Sequence, residues 1–171
     1  MSTSSALGSS PYLLPRPQSL EDLIPPYQSD LDAIKSLYRF VLTECESDIS
    51  ATAAMQEVTA RMIERGLPLE TLSQMTGHLT ASEGKWLRAL LVLLAGRALG
   101  LASPQVDKVA AVVELIHVST LIHDDIIDQS DMRRGHATHA LVWGNRLAVL
   151  SRDYVYSRAI QLTTEVDNVE V

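Results

Sequence analysis

Residues 121 to 128 read LIHDDIID, which sets Asp124, Asp125 and Asp128 inside an apolar helical stretch, and the run MRRGHATH follows with Arg133 and Arg134. Carboxylates at i and i+4 stand one above the other on a helix face. Three anions crowded together repel each other unless cations are shared between them. Arginines a turn or so later supply the opposite charge, in the forked geometry that suits phosphate oxygens. Carboxylates, a hard cation and arginines together describe a site for a magnesium-bound phosphate or diphosphate.

The element that must carry this site is a long helix. From Val109 to Ile127 the chain is apolar almost all the way round, as in a buried helix. Its polar residues Glu114, His117, Asp124, Asp128 and Asp131 recur at helical intervals, which predicts one stripe lining a wet or ligand-filled cleft. Charge buried against protein alone is costly, so the stripe needs water or a ligand beside it. The competing reading is a helix end that opens into solvent at Asp124. Taken alone, His117 reads as a core histidine.

A second cationic element precedes this helix. Lys85 and Arg88 are three residues apart beside Gly84, which predicts that both project from one first turn of a helix running from about Lys85 to Leu99. Free amides and the helix dipole already favour anions there, so cations at that end make sense if an anion is to arrive. Two solvated surface cations are the plain alternative.

The rest of the chain reads as further helices. Leu31, Ile34, Leu37, Tyr38, Val41 and Leu42 form one apolar face, Met55, Val58 and Met62 begin another that stops at Gly66, and Leu69, Leu72, Met75 and Leu79 form a third behind Pro68. Ser103 is expected to cap the long helix, with Pro104 at its first position. Gly144-Asn145 breaks the chain before a last helix through Tyr154 and Ile160. The fold class is therefore all-α. Residues 1–29 hold five of the seven prolines and no helical periodicity, which predicts a flexible leader ahead of a helical domain at 30–171.

Composition narrows the classes. With 171 residues and 46% hydrophobic content, the chain can bury a core. The net charge of −7 argues against a general nucleic-acid binder. Arg133, Arg134, Arg146, Arg152 and Arg158 gather late in the chain, which predicts local positive charge near the carboxylates. Cys45 is the lone cysteine, which excludes an internal disulfide and suits a reducing cytoplasm. No run is long enough for a transmembrane helix, and no export signal is visible.

GKWLRALLVLLAGRALG, ELIHVSTLIHDDIID, MRRGHATH and the run from Gly144 to Ala159, in that order, closely resemble the first half of the trans-type polyprenyl diphosphate synthases. The resemblance covers about residues 30 to 165 and is strongest from Gly84 to His139. It implies an all-helical bundle that joins isopentenyl diphosphate to an allylic diphosphate with Mg2+. Asp124, Asp125 and Asp128 fall on the family's first aspartate-rich motif, with Asp124 and Asp128 as the magnesium ligands. Arg133 matches the arginine that holds the allylic diphosphate. Lys85, Arg88, His117 and Arg134 match the residues that hold isopentenyl diphosphate. Family members set product length with side chains one turn before the motif, and the small Ser119 and Thr120 there imply a medium or long product.

The pattern also has departures. Glu83, Trp86 and Ala89 replace the family's Gly, Arg and Pro, Ala137 replaces a Pro, and Arg152 takes a Gly position before Asp153. These imply a distorted cavity. The chain reaches Val171 without the family's second aspartate-rich motif, so a half-bundle that does not turn over alone is expected, with exposed apolar faces that favour a homo- or hetero-oligomer. Two alternatives remain: a non-catalytic partner or regulatory subunit of a complete synthase, and a helical metal phosphohydrolase built on His123-Asp124 with His117 nearby.

Overall fold

The computed structural model describes residue 19, residues 21–43, 60, 61, 64, 69–81 and 84–166, with the side chains of 21, 69, 70 and 72 excepted. Helix α1 spans Gln28–Thr43, α2 Leu69–Ala81, α3 Leu87–Ala98 and α4 Pro104–Ile127. A two-stranded ribbon, β1 at Met132–Arg133 and β2 at His136–Ala137, leads into α5 at His139–Thr164. The expected all-α class holds, with this ribbon as its one small addition among the described residues. The expected helix through Met55, Val58 and Met62, Pro68 at the start of the third, and Cys45 lie outside the described residues.

Helical spacing of apolar residues sets the core. In α1, Leu31, Ile34, Tyr38, Val41 and Leu42 are buried, at intervals that keep them on one face. They meet Ala89, Leu90 and Leu93 of α3, Ala111 and Leu115 of α4, and Tyr154, Val155 and Ala159 of α5 in one cluster. Helix α5 lies mainly along α4. Gly96 lets α3 and α4 approach, because a Cβ there would meet Val106 Cγ1 at 3.0 Å and the Leu101 carbonyl at 3.3 Å. Two long-range hydrogen bonds close the end of α1: the Tyr154 hydroxyl donates to the Leu42 carbonyl at 3.0 Å, and Arg158 Nε donates to the Val41 carbonyl at 2.6 Å. Those carbonyls lie in the last turn and lack helical partners.

Several expected boundaries move. Residues 21–23 and 25–27, inside the stretch expected to be flexible, form short 3-10 turns, and α1 already begins at Gln28. Leu23, Ile24 and Tyr27 pack against the core, and this apolar contact orders a Pro-rich segment that has no periodicity of its own. Helix α3 starts at Leu87, so Lys85 lies ahead of it and does not share its first turn with Arg88. Ser103 takes the N-cap position of α4 with no side-chain cap bond. The stop of α3 is as expected: Gly100, at φ 74°, takes the left-handed position. The Leu101 N–H then donates to Gly96 O at 2.8 Å and the Gly100 N–H to Arg97 O at 3.0 Å. Gly144, at φ 79° and ψ 158°, interrupts α5 at the expected break.

Candidate functional site

Helix α4 brings Glu114, His117, Val118, Leu121, Ile122 and Asp125 to one wall of a cavity of about 580 Å³. These positions recur at three- and four-residue intervals, so they form the helix's inward stripe. The stripe therefore runs through Asp125 rather than Asp124. Asp124 and Asp128 are exposed, and Asp131 lies beyond the end of the helix. One residue turns a helical side chain by about 100°, enough to move adjacent carboxylates onto different faces.

Glu114 is 8% exposed and faces the start of α3, where its Oε1 accepts the Ala89 N–H at 3.1 Å. A carboxylate from another helix thus satisfies one of the free amides of that turn. Sequence reading put Glu114 on the stripe and missed this task, because the partner lies 25 residues away.

Asp125 is bound to Arg133. Its Oδ1 accepts from Arg133 Nε at 2.7 Å and lies 2.7 Å from Nη2, with the carboxylate 8% exposed and the guanidinium 36%. The hydrogen bond that Arg133 donates to Asp125, ahead of the surrounding carboxylate charge, raises the Arg133 pKa further above its already high value. The ribbon that carries Arg133 is fixed at both ends. Ser130 N–H donates to Asp125 O at 3.0 Å, Thr138 N–H to Asp131 O at 2.9 Å, and Thr138 Oγ1 donates to Ser130 O at 2.7 Å while capping the Leu141 N–H of α5. Between the strands, Arg134 at φ 51° and Gly135 at φ 83° are both left-handed, as a two-residue type I′ hairpin requires. The Arg-Gly pair was a faint signal for it, since only the glycine suits that conformation.

The turn points Arg134 at the other cationic element. A Cβ on Gly84 would collide with the Arg134 guanidinium, so the missing side chain lets the two segments meet. Lys85, Arg88, His117, Arg133 and Arg134 all border the one cavity, together with Asp125. Of the positions that depart from the family pattern, Trp86 and Ala137 stand at the wall of this cavity, Ala89 does not, and Glu83 lies outside the described residues. Burial, followed by Arg88, holds the His117 pKa below the ordinary histidine value, with Glu114 opposing. His117 is accordingly a neutral group among cations at neutral pH.

Two of the other late arginines serve elsewhere. Arg158 is buried against the end of α1 and bonded to Gln161, and Arg152 pairs with Asp153 at 2.9 Å and lies over the Tyr156 ring. Neither contributes to the cavity wall. Ser119 is buried and Thr120 exposed, with hydroxyls donating to Ile116 O and His117 O, and neither borders the cavity.

Histidines His78, His136 and His139 also line the cavity, and sequence reading missed all three. Their positions come from α2, the ribbon and α5, which no local pattern connects. His78 Nε2 lies 2.8 Å from Ala137 O, a donor to that carbonyl, and its ring stands edge-on to His139 and Trp143. His139 is 5% exposed, and burial, then His78, pushes its pKa down to about 4.

Among the described residues no three His, Cys, Asp or Glu side chains converge on a metal-sized space. His123 and Asp124 are both exposed, and among the described residues no third His, Cys, Asp or Glu joins them in a metal-sized group. Asp124 and Asp128 offer hard oxygen donors one turn apart on the open side of α4. That donor set fits a magnesium ion completing its shell with phosphate oxygens and water.

Fold and site together define an all-helical protein with a cationic cavity beside an aspartate-rich helix end. The polyprenyl synthetase family model matches residues 69–171. The chain belongs to the polyprenyl synthetase family. It is 36% identical over 118 residues to octaprenyl diphosphate synthase of Escherichia coli, covering 68% of this chain and 36% of that protein. It is 33% identical over 135 residues to heptaprenyl diphosphate synthase component 2 of Geobacillus stearothermophilus, covering 79% and 39%. A solved decaprenyl diphosphate synthase from Rhodobacter capsulatus is similar at 35% identity and a TM-score of 0.63, covering 86% of this chain and 39% of that one. Polyprenyl synthase from Caulobacter crescentus, solved with calcium and isoprenyl diphosphate, is similar at 29% identity and a TM-score of 0.65, covering 89% and 39%. The chain thus spans well under half the length of these relatives. Among the described residues no helix is long and apolar enough to cross a membrane.

Proposed function

We propose that this chain supplies the substrate-binding half of a prenyl diphosphate synthase, which joins isopentenyl diphosphate to an allylic diphosphate with Mg2+. The observation that carries this reading is the convergence of Lys85, Arg88, Arg133 and Arg134 on one cavity that Tyr38, Val118, Leu121 and Ile122 also line. Polyanion and hydrocarbon are the two parts of a prenyl diphosphate, and the calcium and isoprenyl diphosphate of the Caulobacter relative support the same ligand class.

Lys85, Arg88 and Arg134 hold the isopentenyl diphosphate by charge, with His117 as a neutral hydrogen-bonding group. Arg133, kept in place by Asp125, presents its remaining N–H groups to the allylic diphosphate. Val118, Leu121 and Ile122 shield the hydrocarbon from water. Asp124 and Asp128 would hold the magnesium ion, whose charge would offset that of the departing diphosphate. The allylic C–O bond breaks, the isopentenyl double bond attacks the freed carbon, and the adduct loses a proton. A cytoplasmic location goes with this reading.

The same reading includes a partner. Helix α5 exposes Leu141, Val142, Val149, Tyr156 and Ile160, a face suited to packing on another chain, and one relative is named as a component of a synthase. Labelled isopentenyl diphosphate should be retained by the purified chain, displaced by pyrophosphate and weakened in Arg88→Ala and Arg134→Ala. Equal retention by both variants contradicts the reading. Adding a complete homologue with farnesyl diphosphate separates the roles: product that depends on Asp124 marks a catalytic half, and product indifferent to Asp124→Ala marks a regulatory subunit.

A further inference from the structure

Helix α2 reaches the ribbon through one hydrogen-bonding side chain. His78 Nε2 lies 2.8 Å from the Ala137 carbonyl oxygen, a contact that spans 59 residues of sequence. A carbonyl oxygen can only accept, so Nε2 carries the proton and the ring donates. The helix behind this donor is anchored: Met75, Thr76 and Leu79 are buried, and Leu79 belongs to the core cluster. His78 itself is half-buried, edge-on to His139 and Trp143 with ring centres 5.0 and 5.2 Å away, so packing limits how its ring can turn. The donor therefore sits on a fixed element and meets the second strand of the ribbon.

That strand has few other holds. Ser130 and Arg133 tie the first strand to Asp125 of α4. Thr138 closes the two ends of the ribbon on each other, through Asp131 and Ser130, and caps α5. His78 grips β2 itself, at Ala137, which pairs with Met132 next to Arg133. The two cations that the ribbon bears differ in what fixes them. Arg133 has its own anchor in Asp125, whereas among the described residues no hydrogen bond or ion pair fixes the Arg134 guanidinium. Arg134 stands at the tip of the hairpin, and its guanidinium lies against Gly84 at the border of the cavity. Its place depends on where the ribbon stands.

We propose that His78 is a positioning residue of the diphosphate site: by donating to the Ala137 carbonyl it braces the ribbon from α2 and keeps Arg134 at the cavity with Lys85 and Arg88. This rests on the diphosphate reading of the cavity and adds a residue that acts through an arginine rather than on the ligand.

The test titrates inorganic pyrophosphate with Mg2+ into the full 171-residue chain by calorimetry. His78→Phe keeps a flat ring and removes the donor, whereas His78→Gln keeps an N–H at the ε position. His78→Phe should weaken binding about fivefold, the scale of one neutral hydrogen bond, and His78→Gln less than about twofold. In an Arg134→Ala background the same His78→Phe change should weaken binding by less than about twofold, because the brace then has nothing to position. A bond that served folding alone would lower the urea midpoint and leave the affinity of the folded protein unchanged. Wild-type affinity in His78→Phe, equal weakening in both His78 variants, or an equal loss with and without Arg134 overturns the brace and leaves the diphosphate reading standing. No pyrophosphate binding by the wild type overturns both. Should His78→Phe fail to fold, as judged by circular dichroism, nitrogen-15 spectra of the wild-type imidazoles decide, with the His78 signals assigned through His78→Gln. A proton on Nε2 supports the brace, and a proton on Nδ1 alone overturns it.

Discussion

Asp124 and Asp125 are neighbours of identical chemistry with opposite surroundings. Asp125 faces inward, accepts Arg133 and is nearly sealed from water, whereas Asp124 faces outward with Asp128 a turn further on. The difference teaches that an aspartate-rich motif on a helix is two devices in one. Its inward carboxylate builds the protein and holds an arginine, and its outward carboxylates remain available to a ligand. Asp125 is therefore expected to matter for stability and for holding Arg133 at the cavity, and Asp124 and Asp128 for the response to Mg2+.

The largest expected effect lies on the cavity side, at His139. With a folded pKa of about 4, against an ordinary value near 6.5, the buried ring stays neutral while the unfolded chain takes up a proton. Stability from this group is complete above pH 6.5 and falls by about 1.4 kcal/mol per pH unit as acidity increases toward pH 4. Urea titrations across that window should show the slope, and His139→Phe should flatten it. An unchanged slope would place the ring in contact with solvent.

Next comes Arg133→Ala, which leaves the Asp125 carboxylate buried without its partner. Losing one member of a buried pair costs several kcal/mol, but the partly exposed guanidinium reduces the expected loss to about 2 kcal/mol. Urea unfolding measures it. Asp125→Asn should cost less, because the amide oxygen can still accept one bond.

Gly84→Ala should be milder still for folding, within about 1 kcal/mol, since the group it displaces is the far end of the Arg134 side chain. Its effect should appear in pyrophosphate affinity, lowered several-fold, measured by calorimetry. Smallest of all, Asp124→Asn should change stability by less than about 0.5 kcal/mol in thermal unfolding. A large loss there would erase the contrast between the two faces.

Much of this was legible in the residues. The apolar periodicity of α1, the close of α3 at Gly100 and the break at Gly144 follow from spacing and from left-handed glycines. Lys85, Arg88, His117, Arg133 and Arg134 were legible as a set through the order of their motifs. Which aspartate faces the cavity was not, because the stripe was phased on Asp124 and Asp128, whose four-residue spacing fits a helix face just as well. The hairpin escaped because its strands are two residues each and a left-handed Arg134 is unusual. His78 and His139 meet from α2 and α5, 61 residues apart, where no local pattern operates. The turns at 21–27 were hidden by proline composition that reads as disorder until Leu23 and Tyr27 find a surface.

The most direct measurement is calorimetric titration of pyrophosphate, with and without Mg2+, into the wild type, the Asp124→Ala/Asp128→Ala double variant and Asp125→Asn. The two-faced account predicts that the double variant keeps its metal-free binding and loses the strengthening by Mg2+. Asp125→Asn should bind more weakly under both conditions while the Mg2+ response persists. Equal Mg2+ strengthening in the wild type and the double variant would contradict it.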